Sequence, residues 1–423
     1  MTKATAPLKT FAEDAQTGPF GSQLHSEEYI EGGIPVINPS NIKDGRLIAD
    51  RFSTVSTETA HRLRVHRLRA GDLVFARRGE VGRAAVVSKG EEGWLCGTGA
   101  IRVRANHEQL DPHFAGYALQ SAEIRSYFTQ QAVGSTMGNL NTSIVLGTPI
   151  PGIPLEEQRR IADFLDTETA RIDALTNARD SQLRCLERLW VARLASKADE
   201  LIATYGLLPL RRVVSSVEQG WSPQCDDAEA GPAEWAVLKT SAVSSGLFKP
   251  LEHKRLPSDL EPDLRYQIMD GDILMTRGSG SPAHVGVATV AEIDGRQLLL
   301  SDLLYRVRLD HGWSPEYVTL MLGSAPVRGF MSLLFRGQSG QTIKLRSEDI
   351  KSIDIPAAPI TAQAALAREL ASARLSIREA QAAIRSSSAL LAERRQALIT
   401  AAVTGQFDVS TASGRNVTDG VTA

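Results

Sequence analysis

The sequence is poor in cysteine and has none of the spacings that hold a structural metal or a disulfide framework. Its three cysteines, Cys96, Cys185 and Cys225, lie far apart in 423 residues, and no two form a CxxC pair. Neither a zinc site nor a set of disulfides is predicted, and a reducing compartment fits. The N-terminal stretch lacks the apolar core of a signal peptide, and nowhere do about 18 apolar residues run without interruption. We expect a cytoplasmic protein.

An excess of positive charge is missing as well. The formal net charge is −2, which argues against a protein that coats nucleic acid by bulk attraction, because non-specific affinity comes from Lys and Arg at phosphates. Locally the balance differs, since residues 46–83 contain nine arginines and two histidines against four acidic residues. This basic stretch permits a nucleic-acid partner, and it is equally compatible with an ordinary solvated surface.

The common signatures of catalysis are also absent. There is no phosphate-binding GxxxxGK[ST] loop, no HExxH, no Gly-rich dinucleotide turn and no GxSxG elbow. Asn38-Pro39-Ser40 is similar to the Asn-Pro-Pro-aromatic motif of amino-methyltransferases, but no Gly-rich methyl-donor site precedes it. The order of acidic residues and lysine that metal-dependent nucleases use is not found either. The sequence therefore favours binding over catalysis, with no catalytic and no metal-binding residues.

Two distant stretches share one unusual pattern. Residues 149–165 read PIPGIPLEEQRRIADFL and residues 354–370 read DIPAAPITAQAALAREL, each with two prolines three apart and a Gln four residues after the second. Three more blocks match in the same order, namely 35–47 with 236–248, 70–87 with 270–290, and 111–128 with 314–331. Chance similarity would not keep four blocks collinear, so we predict a two-fold repeat whose offset drifts through loop insertions.

Each repeat is predicted to be a domain of mixed helix and sheet followed by a long helix. Short β-rich runs bounded by Gly and Asp turns precede a helix that opens at Asp111-Pro112 in the first repeat. The expected boundaries are a first domain at 1–152, a central long helix at 153–206, a second domain at 207–357, a C-terminal long helix at 358–407 and a disordered tail at 408–423. The predicted fold class is α+β with a mixed sheet of unknown strand order.

The two long helices have apolar stripes that extend beyond the length of a single domain. The stripe of the second helix recurs every seven residues and comprises Leu370, Ile377, Ile384, Leu391 and Leu398. The corresponding positions of the first helix are Ile161, Leu165, Ile172, Leu175, Leu186 and Leu189. We predict that the helices pair with each other as an antiparallel coiled coil, because a tandem repeat returns the chain to the start of the second domain.

Three segments give the chain a family resemblance. GPFGSQLHSEEYIEGGIPVINPSNI (18–42), IPLEEQRRIADFLD (153–166) and RRQALITAAVTGQFDV (394–409) resemble the DNA sequence-specificity subunit of type I restriction-modification systems. The resemblance covers nearly the whole chain, and its specific signals are the helix-entry and C-terminal segments. It implies two target-recognition domains joined by two long antiparallel helices, which is the arrangement that the repeat predicts.

The resemblance also implies a function and partners. Members of this family read a bipartite target in double-stranded DNA, one half per recognition domain, and their helices act as a ruler that sets the gap. They anchor two methyltransferase subunits and, through these, the restriction subunits that translocate and cleave unmodified DNA. S-adenosylmethionine, ATP and magnesium are then expected on the partner subunits, with no cofactor in this prokaryotic chain. Because the two domains differ in sequence, the target is expected to be asymmetric.

Base recognition needs polar side chains on loops that enter a groove, with glycines where the backbone approaches closely. The candidate DNA-binding residues of the first domain are Gly18, Phe20, Ser22, Asn38, Ser40, Asn41, Arg77, Arg78, Arg83, Ser135, Thr136 and Asn139. Those of the second domain are Trp221, Gln224, Lys239, Ser241, Arg277, Ser279, Arg336, Gln338, Ser339, Gln341 and Lys344. Arg77 and Arg277 lead, because each ends a predicted strand before a Gly-rich turn. Any one of them is as compatible with a turn or a phosphate contact as with base reading.

Trp190 on the first long helix has two interpretations, a core residue that packs against the other long helix or an anchor for a methyltransferase subunit. Two other functions also stay open. The chain resembles the recognition part of a single-chain restriction-modification enzyme, which would need a methyltransferase core for which this chain has no room. It is also compatible with a coiled-coil scaffold that binds only protein, in which case the basic stretch would be incidental.

Overall fold

The computed structural model describes residues 4–78, 82–132, 140–337 and 342–409. The chain divides into two compact units, which we call unit 1 (Met1–Asp180 and Arg385–Ala423) and unit 2 (Ser181–Ile384). Both boundaries fall inside a long helix, so each unit contains a part of both long helices. The predicted tail lies outside the described residues from residue 410 onward.

Unit 1 is built mainly from short strands. Its strands are β1 (Thr5–Pro7), β2 (Ala12–Thr17), β3 (Tyr29–Ile30), β4 (Ile34–Ile37), β5 (Ile42–Lys43), β6 (Arg46–Leu47), β7 (Thr54–Val55), β8 (Leu73–Ala76), β9 (Ala84–Val86), β10 (Leu95–Cys96), β11 (Ala100–Ala105) and β12 (Pro149–Pro151). Its helices are α1 (Thr57–Arg62), α2 (Pro112–Leu119), α3 (Ala122–Ala132), α4 (Thr142–Leu146) and the first part of α5 (Leu155–Tyr205). An antiparallel sheet has the order β2-β11-β8-β9, and a mixed sheet has the order β10-β4-β7-β3.

Unit 2 has the same kinds of element. Its strands are β13 (Leu207–Pro209), β14 (Val214–Gln219), β15 (Trp235–Leu238), β16 (His253–Arg255), β17 (Ile273–Thr276), β18 (Gly278–Ser279), β19 (Ala288–Val290), β20 (Gln297–Leu299), β21 (Leu304–Leu309), β22 (Ile343–Lys344) and β23 (Asp354–Pro356). Its helices are α6 (Pro315–Gly323), α7 (Ala325–Ser332), α8 (Ser347–Ile350) and most of α9 (Ile360–Thr404). The sheet order β14-β21-β17-β19 repeats the order β2-β11-β8-β9 of unit 1. The predicted α+β class and internal repeat are therefore confirmed.

The antiparallel sheet of unit 1 has one apolar face and an opposite face that carries charged residues. Ile101 and Val103 of β11 point into the main apolar core of the unit together with Leu73 and Phe75 of β8. Because side chains alternate along a strand, Arg102 projects from the opposite face. Part of this opposite face packs into a second apolar core, which includes Val74, so the face is charged only around Arg102 and its neighbours.

A buried glutamine explains the pattern that opens each long helix. Gln158 is fully buried, accepts a hydrogen bond from the Asp111 backbone N–H through Oε1 (2.8 Å), and donates from Nε2 to the Ile153 carbonyl oxygen (2.9 Å). In the second repeat Gln363 accepts from Ser314 N–H (2.9 Å) and donates to the Ala358 carbonyl oxygen (2.8 Å). Asp111 and Ser314 cap α2 and α6. The repeated Gln therefore joins the start of each long helix to the cap of the preceding helix.

Within unit 2, the parts of α5 and α9 run antiparallel. Arg193 Nη2 donates to Glu369 Oε1 (3.0 Å), and Gln381 Nε2 donates to Glu187 Oε2 (3.4 Å), so positions rise along one helix as they fall along the other. Trp190 is 9% exposed within the apolar core, and the Arg374 guanidinium lies 4.7 Å from its ring centroid. This burial supports the interpretation of Trp190 as a core residue.

Within unit 1, the pairing has the same sense. Ile161 and Leu165 of α5 share a core with Leu398 of α9, and Arg395 Nε lies 3.7 Å from Asp173 Oδ1. The second stripe is largely covered, since Leu370, Ile377 and Leu398 are buried and Ile384 and Leu391 are half-buried. In the described part of the chain, no helix combines the length and apolar character that a membrane span requires.

The predicted stripe of α5 needs a correction at two positions. Ile161, Leu165 and Ile172 are buried and Leu186 is half-buried, but Leu175 and Leu189 are exposed, at 45% and 56%. The positions one residue further along the helix are more covered, since Thr176 is half-buried and Trp190 is buried. One residue turns the helix by about 100°, so a purely apolar pattern selected the wrong side at both places.

Candidate nucleic-acid interface

In unit 1, three loops meet where β2, β4 and β10 end. A Cβ atom on Gly18 would overlap the carbonyl oxygen of Gly97, so only glycine allows this approach of the two backbones. Gly97 N–H donates to the Ile37 carbonyl oxygen (2.8 Å), and Thr98 Oγ1 donates to the Pro19 carbonyl oxygen (2.9 Å). The segments that contain candidates Gly18, Phe20 and Asn38 are therefore joined through residues 97–99.

Arg77 belongs to the same loop cluster. Its N–H donates to the Gly99 carbonyl oxygen (2.8 Å), and its Nε donates to the Leu140 carbonyl oxygen (3.1 Å). Leu140 N–H donates in return to the Arg77 carbonyl oxygen (3.1 Å). Arg77 thus connects the end of β8 with the loop at 97–99 and with the segment that follows α3.

Unit 2 repeats this construction with different side chains. A Cβ atom on Gly220 would overlap the Leu300 carbonyl oxygen, which also accepts a hydrogen bond from Trp221 N–H (2.9 Å). Arg277 N–H donates to the Leu303 carbonyl oxygen (2.9 Å), and its Nη1 donates to the Asp302 carbonyl oxygen (3.3 Å). Arg277 thereby holds the position in unit 2 that Arg77 holds in unit 1.

Asp302 is the polar centre of the unit 2 cluster. Its carboxylate accepts a hydrogen bond from Ser222 Oγ, and its N–H donates back to that oxygen (3.0 Å). Gln219 Nε2 donates to its carbonyl oxygen (3.2 Å). Neither Asp302 nor its repeat partner Thr98 was among the sequence candidates. Residues 95–101 and 299–305 share only one identical residue, so the equivalence of the two loops follows from the strand pairs β10-β4 and β15-β20 and not from the sequence.

A small ribbon brings further candidates of unit 2 together. Gly278 and Ser279 of β18 pair with Lys344 and Ile343 of β22. Arg336 and Lys344 exchange two backbone hydrogen bonds of 2.9 and 2.8 Å, and both side chains are exposed. Ser279, Arg336 and Lys344 therefore lie beside Arg277 on one loop cluster.

Most of the remaining candidates fall into three groups. Those with exposed side chains are Phe20, Ser22, Ser40, Arg78 and Gln224. Three candidates are bound to other side chains or to the backbone. Lys239 Nζ lies 3.4 Å from Asp227 Oδ1, Ser241 Oγ donates to Glu252 Oε2 (2.7 Å), and Arg83 donates to the Ile42 carbonyl oxygen (3.4 Å). Those outside the described residues are Ser135, Thr136, Asn139, Gln338, Ser339 and Gln341.

Two candidates serve the structure of a turn or of a core. Asn41 is 6% exposed, accepts a hydrogen bond from Asn38 N–H (3.0 Å) and donates to the Ile48 carbonyl oxygen (2.8 Å). Because the side chain of Asn41 is buried and both its ends are bonded, we do not expect it to reach a base. Trp221 packs in part against a small core that contains Val237, so only part of its ring is accessible.

Each antiparallel sheet has a buried arginine at its centre. Arg102 and Arg306 are both 2% exposed and lie at equivalent positions of β11 and β21. A hydrogen bond from Arg102 holds the pKa of Asp14 below its ordinary value. Burial raises the pKa of Glu218, but hydrogen bonds from Arg306 and Ser216 outweigh it, and the net effect is a lowered pKa. Both carboxyl groups are therefore ionised partners of a buried cation near neutral pH.

His66 lies near Arg102 and adds no charge. Burial lowers the pKa of its imidazole, a hydrogen bond with the Thr17 backbone opposes this, and the positive charge of Arg102 lowers it further. Among the residues that the structure describes, no group of three or more His, Cys, Asp or Glu side chains could hold a metal ion. The arrangement in both units is thus one of cationic and amide groups on loops, which suits binding to a polyanion.

Comparison with known families agrees with this chemistry. The family described as type I restriction modification DNA specificity domain matches residues 18–184. The EcoEI specificity subunit of Escherichia coli is 32% identical over 154 residues, which are 36% of this chain and 26% of that protein. The EcoKI specificity subunit of Escherichia coli strain K12 is 26% identical over 356 residues, which are 80% of this chain and 74% of that protein.

A solved structure shares the fold along most of the chain. It is a chain from a structural study of complex assembly and conformational transition in the type I R-M system, and its TM-score is 0.67 at 18% sequence identity. The alignment covers 96% of this chain and 98% of the solved one. At this identity the likeness concerns the fold alone.

Proposed function

We propose that this chain is a specificity subunit of a type I restriction-modification complex and recognises a bipartite, asymmetric DNA target. The proposal is supported by the match of residues 18–184 to the specificity domain and by the similarity to the EcoKI specificity subunit over 80% of the chain. The observation that carries the proposal is the pair of loop clusters, one in each unit, built on sheets of the same order. Each cluster has an arginine at the end of an equivalent strand, Arg77 in unit 1 and Arg277 in unit 2. Arginine is the side chain that most often reads guanine in the major groove.

Different side chains in the two clusters support an asymmetric target. Thr98 in unit 1 donates to the Pro19 backbone, whereas its repeat partner Asp302 in unit 2 accepts a hydrogen bond from Ser222. Direct readout depends on which donors and acceptors face the base edges. Two clusters with different polar groups should therefore prefer different half-sites.

The proposal assigns catalysis to partner proteins. Two methyltransferase subunits would bind S-adenosylmethionine and methylate adenine, and restriction subunits would use ATP and magnesium to translocate and cleave DNA. The chain itself would supply recognition without turnover, in the cytoplasm of a prokaryote. The helices α5 and α9 would set the number of base pairs between the half-sites, since paired helices are stiff where a flexible linker is not.

A co-purification experiment with a DNA-binding arm tests this function. The tagged full chain is purified from its own cell lysate after nuclease treatment, and bound proteins are identified by mass spectrometry. The purified complex is then tested for a gel shift of duplex DNA and for methyl transfer from S-adenosylmethionine. We expect an adenine methyltransferase, a DNA shift and methyl transfer by the complex. Methyl transfer by the chain alone, or protein partners without any DNA binding, would contradict the proposal.

A further inference from the structure

Unit 1 has a basic pocket on the charged face of its antiparallel sheet, apart from the loop cluster. The pocket has a volume of about 550 Å³ and is lined by five arginines, Arg64, Arg67, Arg69, Arg102 and Arg104. Two carboxylates, Asp14 and Glu92, also line it. Positive groups therefore outnumber negative ones in a concave site large enough for a small anion.

Two of the three nitrogen atoms in the guanidinium group at the back of this pocket lack hydrogen-bond acceptors. Arg102 Nη2 donates to Asp14, while its Nε and Nη1 are buried and have no hydrogen-bond acceptor among the described residues. Nη1 lies 4.0 Å from Asp72 Oδ2, beyond hydrogen-bonding distance. Asp72 is engaged by Arg104, whose Nε and Nη2 donate to its two oxygens at 2.9 Å each. The Nε of Arg67 is also buried without an acceptor in the described chain.

The equivalent arginine of unit 2 has all its acceptors. Arg306 Nε donates to Glu218 Oε2 (2.9 Å), its Nη1 donates to the Gln267 carbonyl oxygen, and its Nη2 donates to Glu218 and to the Arg265 carbonyl oxygen (2.8 Å). The strand registers differ in which residue faces the arginine: Glu218 lies directly across from Arg306, whereas Gln16 lies across from Arg102 and Asp14 lies across from Arg104. Glu218 therefore reaches both Nε and Nη2 of Arg306, while Asp14 reaches only Nη2 of Arg102.

The walls of the pocket in unit 1 are also more basic than the equivalent positions of unit 2. A 3₁₀ turn at Arg64–His66 and the bridge from Arg67 to Leu95 correspond to the turn at Leu264–Tyr266 and the bridge from Gln267 to Leu299. At the positions of Arg64, Arg67 and Arg69, unit 2 thus has Leu264, Gln267 and Met269. Unit 1 therefore combines extra cations in the walls with unused donors on a buried arginine.

We propose that this pocket of unit 1 binds a phosphate group, with Arg64, Arg67 and Arg69 around it and Arg102 behind it. Planar guanidinium groups suit a tetrahedral oxyanion because each can donate two parallel hydrogen bonds. The group is a backbone phosphate of bound DNA or a free phosphate ion, which share this chemistry. Assignment to DNA rests on the proposed function.

The position of the pocket favours the DNA backbone as the source. Gln16 lines the pocket, and Gly18 of the loop cluster follows two residues later, which is about 7 Å along an extended chain. A large share of protein–DNA hydrogen bonds goes to phosphates and fixes the register of the protein on the duplex. A phosphate held here would position unit 1 while the adjacent loops read bases.

Inorganic phosphate is the first probe, applied to the full chain. Thermal unfolding and titration calorimetry in phosphate are compared with chloride at the same ionic strength. We expect phosphate to stabilise the wild type, and Arg64→Gln combined with Arg69→Gln to weaken its binding about tenfold or more. The matched control is Arg265→Gln with Arg296→Gln, which removes two arginines from unit 2 and should leave phosphate binding unchanged.

A charge-conserving variant tests the role of Arg102. Asp14→Glu keeps the charge of the pocket and gives Arg102 an acceptor that is longer by one methylene group, which we expect to engage further donors of its guanidinium. Phosphate binding should weaken in this variant too, with unfolding in chloride unchanged or improved. Wild-type phosphate binding in Asp14→Glu, or no phosphate effect beyond chloride in the wild type, would overturn the proposal.

Duplex DNA of mixed sequence is the second probe and distinguishes the sources. Each phosphate contact contributes about 0.9 to the slope of log affinity against log salt, so the Arg64→Gln, Arg69→Gln variant should lose about that much. An unchanged slope with weakened inorganic phosphate binding supports the pocket with a free ion as its ligand. Phosphate binding by a wild-type chain that binds no DNA would support the pocket and overturn the proposed function.

Discussion

The two units have the same sheet order, yet their polar residues are connected differently. In unit 1, Thr98 bonds to the Pro19 backbone and the buried Arg102 keeps two unused donors. In unit 2, Asp302 bonds to Ser222 and the buried Arg306 is saturated. The fold can therefore be duplicated while the groups available for binding diverge. The proposed recognition of an asymmetric target needs this separation of scaffold from recognition chemistry.

Removing the carboxylate beside each buried arginine should destabilise unit 2 more than unit 1. Glu218→Ala leaves Arg306 buried without its main partner, and loss of a buried pair costs about 3–5 kcal/mol. Asp14→Ala removes one hydrogen bond from Arg102, with an expected cost of about 1–3 kcal/mol. Hydrogen exchange in β14 and β21 compared with β2 and β11 measures the difference. Equal losses in the two sheets would show that the networks are equivalent after all.

The long helices should contribute to each unit separately. Leu165 and Leu370 are both fully buried, Leu165 in the core of unit 1 and Leu370 in that of unit 2. Leu165→Ala and Leu370→Ala should each cost about 2–5 kcal/mol, with faster hydrogen exchange confined to the unit concerned.

Leu175→Ala is the control for these two variants. Its side chain is exposed, so the stability of the chain should change by no more than about 0.5 kcal/mol. If Leu165→Ala loosened both units to the same extent, the division of the chain into two cores would be refuted.

The two strand-end arginines should affect different halves of the target. Arg277→Ala should weaken or relax one half-site by about 1–3 kcal/mol, and Arg77→Ala should do the same at the other half-site. The measurement is binding to a library in which each half-site is varied in turn. A uniform loss over all sequences would mean that the arginine contacts phosphate only.

Mild acid should weaken unit 2 before unit 1. The pKa of Glu218 lies below its ordinary value of 4.5 and that of Asp14 below 3.8, so each folded carboxyl stays ionised where the unfolded chain takes up a proton. The stabilisation is fully present above the pKa that the carboxyl group has in the unfolded chain. It is lost as the pH falls through the lower pKa that the group has in the folded chain. Thermal unfolding between pH 3 and 7, followed by hydrogen exchange in each sheet, should show this order. Glu218→Gln should remove the response of unit 2, and an unchanged response would assign it to another group.

The duplicated architecture was predictable because repeated patterns survive in the sequence. Proline spacing and Gln158 with its partner Gln363 marked both helix entrances, and the structure explains them as buried links to a helix cap. Strand order was not predictable, since it depends on pairings between distant residues. Leu175 and Leu189 fit the apolar periodicity of α5 but are exposed, and the polar Thr176 is more buried than Leu175. Apolar periodicity alone therefore misplaces the contact stripe at these positions. Gln16 lies across from Arg102 where Glu218 lies across from Arg306, and this correspondence is visible only once the strand register is known.

A matched insertion in the long helices would test whether they set the spacing of the target. The insertion should avoid Ala198 and Leu201, which pack in unit 2, and follow Asp180 in α5 and Ile384 in α9, where the two units divide. Seven residues at each place lengthen each helix by about 10 Å, comparable to about three base pairs, and keep the side-chain stripe nearly in phase.

Sequencing of methylated adenines is the most direct test of the account. Genomic DNA is taken from cells that express the chain with its methyltransferase partner, either as the wild type or with the seven-residue insertions. The wild type should methylate one bipartite motif with two different halves, and the lengthened chain should keep both halves with a gap longer by about three base pairs. An uninterrupted motif in the wild type, or altered halves with an unchanged gap in the lengthened chain, would contradict it.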